Sequence, residues 1–375
     1  VKPILFILAR LTVLSLWTST AWAFPENIRH GYVNCTTCHV SPAGGGLLTE
    51  YGRELSRELL SMWGREGEQR FAYGLIRPPS WLNLGGDYRS IYVYKDSAFA
   101  TEGRSILMQA DLEAAVTLRS WTAVASGGYQ SPRGAVSLRD RLLSRRHYIL
   151  YRPSDEWGFR AGRFFPAYGI QVPDHVIATK RGLGWDQQRE SYNLEASWIS
   201  EKWNLFGTAI LGRPDAPSLI REKGVALSAT YSPWDTGKVG MSYYVGRFGA
   251  ASITPGNRHL LGPFGILGVT SKLTLLTEFD FQASTQTGDA DTRWGAVNYQ
   301  KISYEFTEGA WGFLTQEWSR LDFARESTLN SGFGVGLQWF PRPHVEINIS
   351  WQKSRIVVLS DDYSDFAWLM FHYYL

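Results

Sequence analysis

Cysteine is nearly absent from this chain. Only Cys35 and Cys38 occur in 375 residues, so no disulfide framework of the kind that staples small secreted domains can exist. Long apolar runs are missing as well. After residue 23 no stretch approaches the ~18 residues of a spanning helix, which excludes helical membrane spans. Charge is scarce, with 19% Asp, Glu, Lys and Arg and a formal net charge of +3, so there is no basic footprint for nucleic acid. No phosphate-cradling loop, zinc-protease signature or nucleophile–base constellation is present either. What is abundant is Trp 16, Tyr 19, Phe 19 and Gly 37.

Many aromatics and glycines without a long apolar run suit a transmembrane β-barrel. Alternation of period two from Trp81 onward supports it over a secreted sandwich or propeller. Met108, Ala110, Leu112, Ala114, Val116 and Leu118 interleave with Gln109, Asp111, Glu113 and Thr117. Val345, Ile347, Ile349 and Trp351 interleave with Glu346, Asn348, Ser350 and Gln352. Each such segment is a strand with one apolar and one wet face. Short breaks near 119–120, 153–156, 200–202, 233–237, 270–272, 307–309 and 341–344 alternate with longer polar stretches at 96–104, 130–143, 166–190, 212–222, 247–257, 283–293, 320–330 and 355–364. Outer-membrane barrels show this asymmetry of tight periplasmic turns and long external loops. The expectation is an all-β, antiparallel barrel of about 16 strands, within about two, over residues 80–375. Trp121, Trp157, Trp203 and Trp311 follow short turns, where a periplasmic aromatic girdle belongs. Leu369, Phe371, Tyr373 and Leu375 share one face of the final strand, resembling the terminal assembly signal of such barrels.

The two cysteines stand in Cys35-Thr36-Thr37-Cys38-His39, a C-x-x-C-H motif. That is the attachment signature of c-type haem: Cys35 and Cys38 form the thioethers, and His39 is the proximal iron ligand. A redox dithiol would need a βαβ setting, and a zinc site would need two more ligands, with His30 the nearest histidine to spare. Residues 1–23 read as a secretory signal, with Lys2, an apolar core from Leu11 to Trp17, and the small-x-small end Ala21-Trp22-Ala23. Export provides the compartment in which haem c is attached. Residues 24–79 then form a leader, a natural plug for the barrel on its periplasmic side.

Within the leader, Gly44-Gly45-Gly46 must be a loop, suited to close approach to a flat cofactor or to linker duty. Leu48, Tyr51, Leu55, Leu59 and Met62 recur at helical steps, so a helix over 49–63 is expected. Three states of the distal iron position stay open: Met62 as ligand, His30 as ligand, or no protein ligand. Arg53 is a candidate for a haem propionate or for a solvated helix face.

Cys35-x-x-Cys38-His39 followed by Leu48-Thr49-Glu50-Tyr51-Gly52-Arg53 resembles the outer-membrane monohaem cytochrome–porin fusions, whose iron-oxidising members place C-x-x-C-H and L-x-x-[FY]-G-R ahead of a barrel. The motif covers residues 24–60, and Gly44-Gly45-Gly46 departs from the pattern. The resemblance implies an integral outer-membrane electron-transfer protein with one covalent haem c. It would work between an extracellular donor or acceptor, with Fe(II) the donor known for the family, and a periplasmic carrier. The alternative is a diffusion porin or transporter with the haem segment as plug or gate; a ligand sensor at the haem is the third reading.

Two other features are candidates for lining the lumen. The stretch 166–190 holds Asp174, His175, Lys180, Arg181 and Asp186, and folds inward as a constriction or stays outside. Arginines gather at Arg139, Arg141, Arg145, Arg146, Arg152, Arg160 and Arg163; Arg160 has lumen parity, and a basic wall sets anion preference or neutralises propionates. Asp289, Asp291, Asp361, Asp362 and Asp365 sit in external loops, as cation attractors or solvated acids.

Overall fold

Alternating polarity closes the chain on itself. The computed structural model describes residues 25–129, 141–174, 176–185, 190–214, 222–250, 253–289 and 291–375; the expected signal segment, Arg139, His175 and Asp186 lie outside them. The strands are β1 (Leu82–Ser97), β2 (Ala100–Leu118), β3 (Trp121–Tyr129), β4 (Leu142–Leu143), β5 (His147–Tyr151), β6 (Trp157–Phe164), β7 (Ser191–Ile199), β8 (Trp203–Gly212), β9 (Lys223–Trp234), β10 (Gly237–Ala250), β11 (Ile253–Gly268), β12 (Leu273–Gln286), β13 (Arg293–Thr307), β14 (Ala310–Arg320), β15 (Leu329–Arg342), β16 (Val345–Ile356) and β17 (Ser364–Tyr374). Segments β4 and β5 both pair with β3 and act as one stave, which makes a closed barrel of 16 strands. Each stave pairs antiparallel with the next, and β17 returns to β1 with Asp87 opposite Tyr374. Closure leaves no sheet edge to seed aggregation.

The two faces follow parity. On β2, Leu112 is 68% exposed while Gln109, Asp111 and Glu113 are buried against the lumen contents. Ile149, Leu194, Leu227, Leu314 and Ile349 continue the exposed apolar belt. A wall that is oily outside and polar inside is the arrangement that crosses a bilayer with strands. Among the described residues no helix is long and apolar enough to do so.

Three expectations need correction. The stretches 96–104 and 247–257 are mostly strand: β1 and β2 are separated only by residues 98–99, and β10 extends to Ala250 before β11 begins at Ile253. Polar side chains there pair across the hairpins instead of marking loops. Trp311 is buried, unlike exposed Trp121, Trp157 and Trp203. It has inward parity, packs on Phe340 at 5.1 Å and lies under the Arg29 guanidinium at 5.0 Å. Three of the five external acids are ion-paired: Asp289 with Arg293 at 2.7 Å, Asp361 with Arg355 at 2.8 Å and Asp365, already within β17, with Lys353 at 3.5 Å.

Candidate functional site

The leader enters the lumen and is fastened around its circumference. A 3-10 turn, Pro25–His30, puts Glu26 against Lys301 at 2.7 Å and Arg29 against Glu305 at 2.9 Å, all four side chains buried. The wall makes room for it at Gly268, where any Cβ would collide with the Arg29 backbone. Further on, Arg160 donates to Ser41 Oγ at 2.9 Å, Asn83 to Leu48 O at 2.7 Å, and Ser56 Oγ meets Tyr374 OH at 2.7 Å. The expected plug is therefore inside the barrel. Removing one partner of a buried pair costs about 3–5 kcal/mol, because the other charge stays buried, so these contacts fix the leader's position.

Helix α1 (Glu50–Leu55) is capped by Thr49, whose hydroxyl accepts from the Gly52 N–H at 3.0 Å and donates to Thr37 O at 2.9 Å. One side chain thus ties the helix start to the C-x-x-C-H segment. Gly52 lies directly on the Cys38 backbone, with no room for a Cβ, which gives the Tyr51-Gly52-Arg53 stretch a packing reason. Arg53 donates to Asn83 Oδ1 and Leu84 O on β1; it is neither on a solvated face nor among the cavity-lining residues. The helix is shorter than expected. It passes into a π turn at Ser56–Leu60, and Ser61 is extended, so Met62 leaves the apolar stripe altogether.

Cys35–Thr37 form a further 3-10 turn that closes on itself, with Cys38 N–H and His39 N–H both donating to Cys35 O. His39 pairs with Leu48 in an antiparallel bridge. Between those partners the chain runs through Gly44, Gly45 and Gly46 at φ +86°, +73° and +68°. Three left-handed residues in a row need glycine, and a Cβ on Gly44 would sit 3.2 Å from Cys35 Sγ. The loop brings Gly46 O to 3.3 Å from His39 Nδ1. A carbonyl only accepts, so the ring proton belongs on Nδ1 and the lone pair on Nε2, the form in which histidine takes a metal. Burial, then the neighbouring Cys35, pushes the Cys38 thiol well up from its ordinary range, which disfavours a reactive redox dithiol. Among the described residues no group of three or more His, Cys, Asp or Glu could hold a metal ion, so the zinc reading finds no further ligands there.

Cys35, Cys38 and His39 line one lumenal cavity of about 360 Å³. Its wall is charged, with cations in excess: Arg145, Arg146, Arg160 and Lys238 reach it, together with the carboxylates Asp87, Glu113 and Glu190. Arg145 meets Asp111 at 2.8 Å, Arg146 meets Glu113 at 2.8 Å and Arg160 meets Glu195 at 2.6 Å. Lys238 donates to Val33 O in the leader. Both Nη atoms of Arg145 are buried without a hydrogen-bond partner among the described residues, an arrangement that an anionic group in the cavity would complete. Parity foretold Arg160. Asp87, Lys238 and His372 escaped notice, although His372 and Tyr374 alternate with outward Phe371 and Tyr373. His372 sits between Asp87 and Glu346 at 2.6 and 2.7 Å.

Neither expected distal residue lines this cavity. His30 Nε2 accepts from Arg29 Nε at 3.0 Å, and Met62 N–H donates to Phe340 O at 2.9 Å on the rim. Burial, then the Arg29 charge, lowers His30 from 6.5 to about 4; burial and Arg53 do the same to His344 in the β15–β16 turn beneath the leader. Both bind a proton more readily unfolded than docked, so docking is strongest above pH 6.5 and weakens as pH falls toward 4. Protease cleavage of the leader should accelerate across that window and level off below it; a flat profile would mean that neither histidine is coupled to docking.

The described residues of the external stretch 166–190 (166–174, 176–185 and 190) also fold inward. Tyr168 OH donates to Asp280 at 2.8 Å, Ile170 N–H to Glu278 at 3.0 Å and Ala178 N–H to Glu317 at 2.9 Å. Lys180 is buried and donates to Tyr168 O at 3.1 Å, so it braces the loop as well as lining the lumen.

No family model matches the sequence, and no curated protein matches it. Solved structures match in fold. OmpT of Vibrio cholerae, in its in-vitro folded trimer form, superposes with a TM-score of 0.62 at 7% identity over 78% of this chain and 99% of that one. The anion-selective porin from Comamonas acidovorans gives 0.59 at 8%, covering 78% and 99%. The outer membrane channel DcaP of Acinetobacter baumannii gives 0.57 at 10%, covering 78% and 97%. At such identities the likeness is one of fold: this chain is a porin-like barrel of the outer-membrane type.

Proposed function

We propose that this barrel is an outer-membrane electron-transfer protein carrying one covalent haem c in its lumen. The reading rests above all on one observation: Cys35, Cys38 and a His39 ring oriented by Gly46 O face the same cavity as the incompletely partnered Arg145 guanidinium. The donor set fits the group, and the three consecutive left-handed glycines let the loop pass close to Cys35 and bring Gly46 O to His39. When bound, the haem supplies one-electron exchange at its iron. The chain's own residues do the rest. Cys35 and Cys38 tether, His39 Nε2 ligates, and Arg145 and Arg146 offer charge-assisted hydrogen bonds to propionates. Tyr32 and Leu55 form a buried cluster with Cys38, with Leu59 packed against it, and keep water from the thiol. His30 and Met62 lie outside the cavity lining, so neither would hold the group.

One such centre does not line the ~25 Å apolar band. The reading therefore includes a periplasmic carrier at the plugged end and an external donor or acceptor entering past the inward loop, Fe(II) being the donor that the family resemblance implies. A second reading, a diffusion pore gated by the leader, is favoured by the porin and channel neighbours of the fold. A haem-stained gel of the outer-membrane fraction, run with and without boiling, tests the first. A haem-positive band whose mobility shifts on heating is expected; a heat-modifiable band without haem would remove the central claim and leave the pore.

A further inference from the structure

Beyond Leu60 the leader leaves the lumen. Met62 and Trp63 donate their N–H groups to Phe340 O and Pro341 O at 2.9 and 3.1 Å, on the rim that carries the short turns. From there the segment runs along the rim: Gln69, buried at its middle, donates to Glu54 of the plug helix at 2.7 Å, and Trp63 and Tyr73 on either side of it reach outward aromatics of the wall. Trp63 meets Trp339 edge-on, with ring centroids 6.1 Å apart and planes at 85°. Trp339 has the outward parity of exposed Val335 and Leu337. Tyr73 stacks on Tyr373 at 6.4 Å and 28°, and Tyr373 shares its face with exposed Leu369 and Phe371. An ion pair between Glu68 and Arg342 holds the segment to the rim.

This segment covers two aromatic side chains of the lipid-facing wall, yet its own outer side is apolar and cationic. Leu75 is 88% exposed, Trp63 55% and Ile76 52%. Arg65, Arg70 and Arg77 are exposed around them, against a single exposed carboxylate, Glu66. Aromatics, aliphatics and arginines in that mixture match the headgroup layer of a bilayer, where the rings lie at the polar boundary and guanidiniums meet phosphate. The surface is continuous with a wall that already faces lipid.

We propose that residues 63–77 form an interfacial collar bedded in the phospholipid headgroups of the periplasmic leaflet, with Leu75 and Ile76 reaching the acyl boundary and Arg65, Arg70 and Arg77 contacting phosphates. The collar holds the plug at its barrel exit and does not depend on the haem.

Full-length protein carrying a benzophenone amino acid at position 75 is reconstituted into vesicles of phosphatidylethanolamine and phosphatidylglycerol and irradiated. Position 112, in the lipid-facing belt, is the positive control, and position 99, at the external tip of the first hairpin, the negative one. Position 75 should give a phospholipid adduct in a yield within about two-fold of position 112. Adducts only to protein, a second copy included, or no adduct while position 112 reacts, would overturn the collar. As a second measurement, the Leu75→Glu/Ile76→Glu variant should keep a heat-modifiable band while trypsin cuts after Arg70 several-fold faster in vesicles. Cleavage at the wild-type rate would also count against it.

Discussion

Joining residue 24 directly to residue 80 opens the barrel, and single-channel conductance in a planar bilayer rises about ten-fold over the full chain, as expected when a lumen of about 16 staves loses its plug. The leader contacts the wall at β1, β6, β10, β12, β13 and β17 through Asn83, Arg160, Lys238, Thr274, Lys301 and Tyr374, so it spans the lumen from wall to wall. Deletion leaves Lys301 and Glu305 without Glu26 and Arg29, but water enters with the loss of the plug and solvates them. The barrel keeps its ladder hydrogen bonds and its heat-modifiable mobility. The inward loop stays anchored to Glu278, Asp280 and Glu317, which sets the residual constriction. An unchanged conductance would show that this loop alone seals the lumen and that the leader is no barrier.

The Cys35→Ala/Cys38→Ala variant is expected to lose the haem stain completely and to slow electron passage at least about ten-fold, because ligation by His39 alone does not retain the group through export and assembly. The measurement uses vesicles holding ferricyanide, supplied with an impermeant reductant outside. Both cysteines face the cavity side of the plug and neither is joined in a disulfide, so two methyl side chains leave the barrel and its pairing untouched. Conductance of this variant should match that of the wild type. Electron passage at the wild-type rate would rule out the haem reading, and a rise in conductance would instead make the haem part of the seal. The deletion and the cysteine variant thus separate a plug that carries electrons from a plug that only closes a pore.

Much of this molecule was legible in its sequence. The alternation in β2 and β16, the order of short breaks and long stretches, and the outward run Leu369, Phe371, Tyr373 and Leu375 determine a barrel of about 16 staves, because side-chain direction in a strand has period two whatever the strand's neighbours. Cys35, Cys38 and His39 were likewise legible, being a local motif. Loop length was harder: polar residues at 96–104 pair across a hairpin, and polarity alone does not distinguish a loop from a strand wet on both faces. Trp311 went astray for the opposite reason. Its turn position suggested a girdle, but parity sends it inward to meet Arg29, 282 residues earlier in the chain.

What only the tertiary structure decided is how the motif is set. That Gly46 O orients His39, that Arg145 and Arg146 come from a different part of the wall to face it, and that His30 and Met62 point elsewhere all depend on contacts distant in sequence. No period or spacing encodes them, since each arises when a plug of about 36 residues (25–60) meets the inner face of a closed cylinder. The sequence by itself determined a porin-like barrel with a C-x-x-C-H leader; the closed lumen determined which charges that leader faces.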